Sequence, residues 1–171
     1  MALVLVATPG AANANSYCTL AEANTYHESH PYASAWTGAA TDDARNRALA
    51  TATRLLDEHI EWDGAAADSV QALCWPRLGM LDRNENTIGS TTIPQALKNA
   101  TAELARQLIA GDRTADSDIE TQGISSLTAG PISLAFRPGV TAKVLPDAAW
   151  SMVKLWGSLL SRSNTIPLER V

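Results

Sequence analysis

Apolar residues recur at intervals of three and four in several stretches of the chain, and each stretch begins at a residue suited to start a helix. Thr19 followed by Glu22 has the spacing of a capping box, in which hydroxyl and carboxylate each take a free backbone amide. It sets a first helix from about Leu20 to His30, closed by Pro31. Thr41, followed by Asp42 and Asp43 where the amide dipole favours negative charge, opens a second. Its stripe is Ala44, Ala48, Leu49, Ala52, Leu55, Leu56 and Ile60, with Arg47, Arg54, Asp57 and Glu58 outside it. Pro94 opens a third, where a missing amide hydrogen costs nothing. Leu97, Ala100, Thr101, Leu104, Ala105, Leu108 and Ile109 form its buried face, and Lys98, Glu103, Arg106 and Gln107 its wet side. Gly111 ends it as a left-handed cap. A fourth helix starts near Pro146 and Asp147 and carries Ala149, Met152, Val153, Leu155, Trp156, Leu159 and Leu160, a face wide enough for burial on two sides.

The intervening segments lack that period. Residues 1–15 read as an irregular arm that begins with a short apolar strand candidate. Residues 61–93 form a long connection with one short helix from about Ser69, capped by Asp68 with Gln71 three positions on. Residues 119–137 alternate weakly about Ala129-Gly130-Pro131, which reads as a β-hairpin. The expected fold is therefore mainly α: a small bundle of four main helices with a β-hairpin insertion and extended N- and C-terminal arms. The chain divides into an arm (1–15), a helical core (16–112), the hairpin (119–137), a C-terminal helix (146–161) and a tail (162–171), all within one domain (1–171).

Composition narrows the function. The chain has 171 residues, of which 46% are hydrophobic and only 18% charged, so much of its surface is expected to be covered by its own core or by neighbours. A net charge of −5, with 13 basic residues scattered among 18 acidic ones, argues against tight non-specific binding to a phosphate backbone. Cys18 and Cys74 have no metal-ligand spacing, MALVLV is too short for a signal segment and lacks a basic flank, and no apolar run is long enough to span a membrane. The expectation is a soluble, intracellular protein with reduced thiols.

Candidate chemistry is sparse. His27 and His30 could form one edge of a metal site, but no third ligand is evident, and ordinary half-buried histidines are the simpler reading. DRNENTIGSTTI places Asp82, Asn84 and Asn86 at calcium-loop spacing, yet Thr87 and Ile93 stand where glycine and the bidentate carboxylate belong. No phosphate-binding, dinucleotide or nucleophile-elbow motif occurs, and no catalytic, cofactor or metal residue is assigned. Trp36, Trp62, Trp75, Trp150 and Trp156 could stack bases, but Glu58, Glu61 and Asp63 near Trp62 would repel phosphates, so core or interface anchors fit better. Trp75-Pro76-Arg77 reads as a structural corner. Pro76 ends the short helix, the indole fills a gap between the second and third helices, and Arg77 stacks on an indole or forks to a carboxylate.

The corner has company. ANSYCTLAEANTY (14–26), ATRLLD (52–57), QALCWPR (71–77) and IPQALKNATAELARQLIAGD (93–112) together resemble a family of tailed-phage proteins that carries the label "DnaT-like single-stranded DNA-binding". Its members resemble head–tail adaptors. The resemblance is strongest over residues 1–112. It implies a ring of identical subunits, twelve in number, beneath the portal protein. Such a ring would dock a tail or stopper protein and let double-stranded DNA pass without sequence-specific contacts, so the protein would sit in the virion neck after assembly in the host cytoplasm. On this reading Leu159, Leu160, Ile166, Pro167 and Leu168 are assigned to portal contact. Ile124, Leu127, Ile132, Leu134 and Phe136 of the hairpin are assigned to contacts between subunits or with the tail side. The alternative is a single-stranded DNA-binding replication accessory acting through the tryptophans and Arg77. An enzyme would need a site assembled from distant residues, and no constellation points to one.

Overall fold

Thr41 sets the longest helix, taking the amide of Ala44 on its hydroxyl, and Asp42 and Asp43 occupy the first turn. In the computed structural model, which describes residues 2–39, 41–115, 126–129, 132–135 and 143–160, this helix (α3) runs Asp42–His59. The capping box at Thr19 and Glu22 forms in both directions and starts α1, Leu20–Glu28. A single turn, α2 (Ser34–Thr37), follows and buries Trp36. Pro94 precedes α4, Gln95–Ala110, and Pro146 precedes α5, Asp147–Val153. The fold is mainly α, with five helices among the described residues.

The centre of the bundle is α4. It packs against α1, α2, α3 and α5, and its residues Leu97, Ala100 and every position from Thr101 to Ala105 are buried. Alanines at 100, 102 and 105 let neighbours approach closely, and the Thr101 hydroxyl is satisfied by the Leu97 carbonyl at 2.9 Å. The expected single stripe is thus too narrow. Glu103, read as a wet-side residue, is only 2% exposed. Arg106 and Gln107 donate to it, and His30 lies 3.7 Å away. Burial alone would push its carboxyl up, but the Arg106 and Gln107 donors outweigh that and hold it below the usual range.

Three expectations about element ends are corrected. Gly111 adopts extended backbone rather than a left-handed cap, because α4 closes with a bond from its amide to the Gln107 carbonyl. The short helix expected from Ser69 does not form: the Gln71 side chain accepts from the Asp68 amide but donates to the Leu73 and Pro76 carbonyls, which leaves the segment in turns. The fourth predicted helix is cut short. After Val153 comes a 3-10 turn, Lys154–Trp156, and then a strand, so Leu159 and Leu160 do not continue a helical face.

The strands are short. β1 (Ile60–Trp62) follows α3 directly, and β2 (Ala65–Ala66) pairs with β3 (Arg77–Leu78). β4 (Ser126–Ala129) and β5 (Ile132–Ala135) form the expected hairpin, with Ala129 opposite Ile132. β6 (Gly157–Leu159) returns antiparallel to β1 with Glu61 opposite Ser158. The apolar opening does not become a strand. Asn15 folds it instead, accepting from the Val6 amide and donating to the Val4 carbonyl, while the Leu3 amide donates to Asp43 at the start of α3. The N-terminal arm is therefore extended but tied to the body.

Gly157 is the joint that lets β6 reach β1. A Cβ there would lie 2.5 Å from the Glu61 carbonyl oxygen and 3.0 Å from an Ile60 methyl. Gly157→Ala is expected to cost about 1–3 kcal/mol by forcing the strands apart, measured as a lower urea midpoint at unchanged slope.

Candidate docking surface at the tryptophan corner

Pro76 follows Trp75 through a cis peptide bond, and the Trp75 indole, 1% exposed, is held between two others. Trp62 stands edge-on to it at 5.8 Å and Trp156 at 5.5 Å between ring centres. Such pairs add to the gain from burial through their quadrupoles. The indole thus plugs a gap between β1 and the 3-10 turn after α5, a position that depends on the C-terminal chain and was not legible at residues 71–77.

Arg77 corrects its expected role as well. Its guanidinium neither stacks on an indole nor forks to a carboxylate. It donates to the carbonyls of Trp62, Asp63, Gly64 and Cys74. That clamps the chain on both sides of the β2–β3 pair with one side chain whose fork geometry suits several acceptors.

A polar knot lies beneath. Asp57, read as solvent-facing, accepts from the Tyr17 hydroxyl at 2.5 Å, from the Trp62 indole at 3.0 Å and from the Cys74 amide at 3.1 Å. Burial pushes its carboxyl up, against the pull of these donors, and burial together with Asp57 pushes the Tyr17 phenol well up. Burial also pushes the Cys74 thiol up to about 11 and the Cys18 thiol up to about 12, so both stay protonated and unreactive. A carboxylate one turn beyond Thr53 and beside Leu55-Leu56 was the available signal for this knot.

Around the buried corner exposed leucines alternate with exposed polar residues, among them Glu61, Asp63, Lys154 and Ser158. Leu78, Leu81, Leu155, Leu159 and Leu160 are all exposed, and the Trp156 indole donates to the Leu81 carbonyl at 2.7 Å. A groove of about 470 Å³ runs between the 82–96 segment and the C-terminal turn, floored by Ile88, Pro94, Met152, Leu155 and Trp156 and edged by Asp82, Arg83 and Gln95. Of the residues assigned to the portal, Leu159 (46% exposed) and Leu160 (51%) border this surface, while Ile166, Pro167 and Leu168 lie outside the described residues. Of the hairpin residues, Leu127 pairs with Leu134 and Ile132 with Ala129, whereas Ile124 and Phe136 lie outside the described residues.

Of the two histidines, His27 is buried in the core and His30 is half-buried. His27, 2% exposed, has its Nε2 3.1 Å from the Ala102 carbonyl and its ring against Trp36. His30 instead accepts the Tyr32 amide on Nδ1. The Asp82 loop is occupied by its own chain: the carboxylate accepts the amides of Asn84 and Asn86. Among the described residues no three His, Cys, Asp or Glu side chains gather as a metal set, and no helix is long and apolar enough to cross a membrane.

Two outcomes follow from these buried groups. Asp57→Ala strands three donors and is expected to cost about 3–5 kcal/mol in urea unfolding, with Asp57→Asn costing less because an acceptor remains. Burial, ahead of every other influence, pushes His27 down to about 4 from 6.5, so the folded chain resists a proton that the unfolded chain takes up. The stability tied to the neutral ring is whole above pH 6.5 and falls as pH drops toward 4. Between pH 7 and pH 5 the native chain should lose roughly 2 kcal/mol from this group, a component that His27→Gln removes from the pH dependence of the urea midpoint.

No curated protein and no solved structure matches the chain. A family model does, over residues 1–170, and its description reads "Putative DnaT-like ssDNA binding protein". The residues that knit the corner together, from Tyr17 through Asp57 to Trp75 and Arg77, all fall within that match, and the chain belongs to this DnaT-like family.

Proposed function

We propose that the chain works by docking to other proteins, as a structural head-to-tail adaptor of a tailed bacteriophage that assembles into a ring beneath the portal. The observation that carries this reading is the use of the aromatic residues. Trp36, Trp62, Trp75 and Trp156 are buried and Arg77 is spent on four carbonyls, so they support the fold, while five leucines nearby (Leu78, Leu81, Leu155, Leu159 and Leu160) are exposed. Exposed apolar surface rimmed by polar residues suits a protein partner. The motif resemblance supplies the phage assignment, the ring of twelve, the portal and stopper partners and the virion neck. No catalytic step is proposed for it.

The family's description favours a second reading, a single-stranded DNA-binding accessory, and it backs that reading more directly than the adaptor. Four of the five indoles first expected to serve it are buried, whereas stacking uses exposed rings along a basic groove. Arg47 and Arg54, exposed on α3, are paired with Asp43 and Glu58. Binding to DNA would need a different surface, and Trp150, half-buried on α5, is the remaining indole.

Fluorescence anisotropy with a labelled oligothymidylate at moderate salt separates the readings. The adaptor reading expects no micromolar binding, and a salt-sensitive micromolar isotherm would establish the second reading in its place. In parallel, a chain truncated after Ser161 should stay folded but fail to join filled heads. Normal joining by that truncation would remove the portal role from the C-terminal tail.

A further inference from the structure

Among the described residues, the sheet formed by β1 and β6 has one closed edge and one open edge. Its ladder is fixed by the Asp63 amide on the Trp156 carbonyl and the Leu160 amide on the His59 carbonyl, on either side of the Glu61–Ser158 pair. In an antiparallel ladder the residues between such pairs turn their backbone groups outward. On β1 these are Ile60 and Trp62, and both are engaged: the Ile60 amide donates to Leu56 at the end of α3, and the Trp62 carbonyl accepts from Arg77. On β6 they are Gly157 and Leu159, and among the described residues β6 pairs with β1 alone.

No lysine, proline or bulge interrupts Gly157-Ser158-Leu159-Leu160, and the two leucines are exposed. The same chain carries a second two-stranded sheet, the β4–β5 hairpin, whose strands pair only with each other among the described residues. A lone hairpin is marginal in water and gains most from a third strand. Its four-residue strands match the span of β6 and Leu160.

We propose that the β6 edge of one copy receives the β4–β5 hairpin of a second copy, giving a four-stranded sheet across the subunit boundary. The contact joins two different surfaces of the same chain. It therefore propagates head to tail and closes into a ring when the rotation per subunit permits. Main-chain bonds supply the affinity, and Leu159 and Leu160 supply the apolar cover. This rests on the proposed reading of the chain as a self-assembling ring.

The test uses the full chain with Cys74→Ser, carrying Leu159→Cys and Thr128→Cys on separate copies that are then mixed and oxidised. A disulfide-linked dimer that forms only in the mixture is expected. Alongside it, light scattering compares native chain with Leu159→Pro, which removes an outward amide and no bond to β1, and with Leu159→Lys. Both substitutions should abolish the oligomer peak while far-ultraviolet circular dichroism stays native. An oligomer that survives both substitutions, with no crosslink, overturns this contact and leaves the ring reading standing. A native chain that stays monomeric and uncrosslinked at every concentration, including with portal rings added, overturns both.

Discussion

A single carboxylate, with no basic partner among the described residues, holds the corner together. Asp57 collects the Tyr17 hydroxyl, the Trp62 indole and the Cys74 amide, joining the segment before α1, the end of β1 and the turn before Pro76 to α3. The Tyr17 amide also reaches the Thr53 hydroxyl one helical turn earlier, so Tyr17 is fixed at two points on one helix face. A buried acid is costly when left alone and useful when every donor around it is otherwise homeless. Here the donors come from three separate stretches of sequence, and satisfying them together brings those stretches into one place.

The constraint propagates outward. With Trp62 and Trp75 fixed, Trp156 has a defined slot, and its arrival converts the end of the C-terminal helix into a 3-10 turn and then a strand. Gly157 permits the close approach, and Arg77 closes the carbonyls that the bend exposes. On the opposite side, α1 is joined to α4 by the Lys98–Glu22 ion pair and by His27 on the Ala102 carbonyl. Small side chains along α4 make room for these neighbours, so packing rather than charge decides how the helices stack.

Much of this was legible locally and little of it at distance. The caps at Thr19 and Thr41 act over three residues, so their spacing alone located α1 and α3. The pairing of β4 with β5 was equally local. Asp57 and Glu103 were misplaced because periodicity treats every acid as solvent-facing, whereas Tyr17 reaches Asp57 from elsewhere in the chain and Glu103 is buried with its donors, Arg106 and Gln107, on its own helix. The last helix was overextended because Leu159 and Leu160 fit a helical stripe. Only the pairing with β1, about a hundred residues earlier, makes them strand. The candidate docking surface was half visible: Leu159 and Leu160 were singled out, but Leu78, Leu81 and the groove beside Met152 arise only when β3, the 82–96 loop and the C-terminal turn meet.

The three indoles at the corner have an optical consequence. Edge-on rings this close couple their electronic transitions, and the sign and size of that coupling depend on mutual angle more than on helix content. Near-ultraviolet circular dichroism reports such fixed aromatic packing, and that signal disappears when packing loosens even if helices persist. The chain therefore carries an internal gauge of whether the C-terminal strand is seated, readable without any label and separable from the melting of the bundle itself.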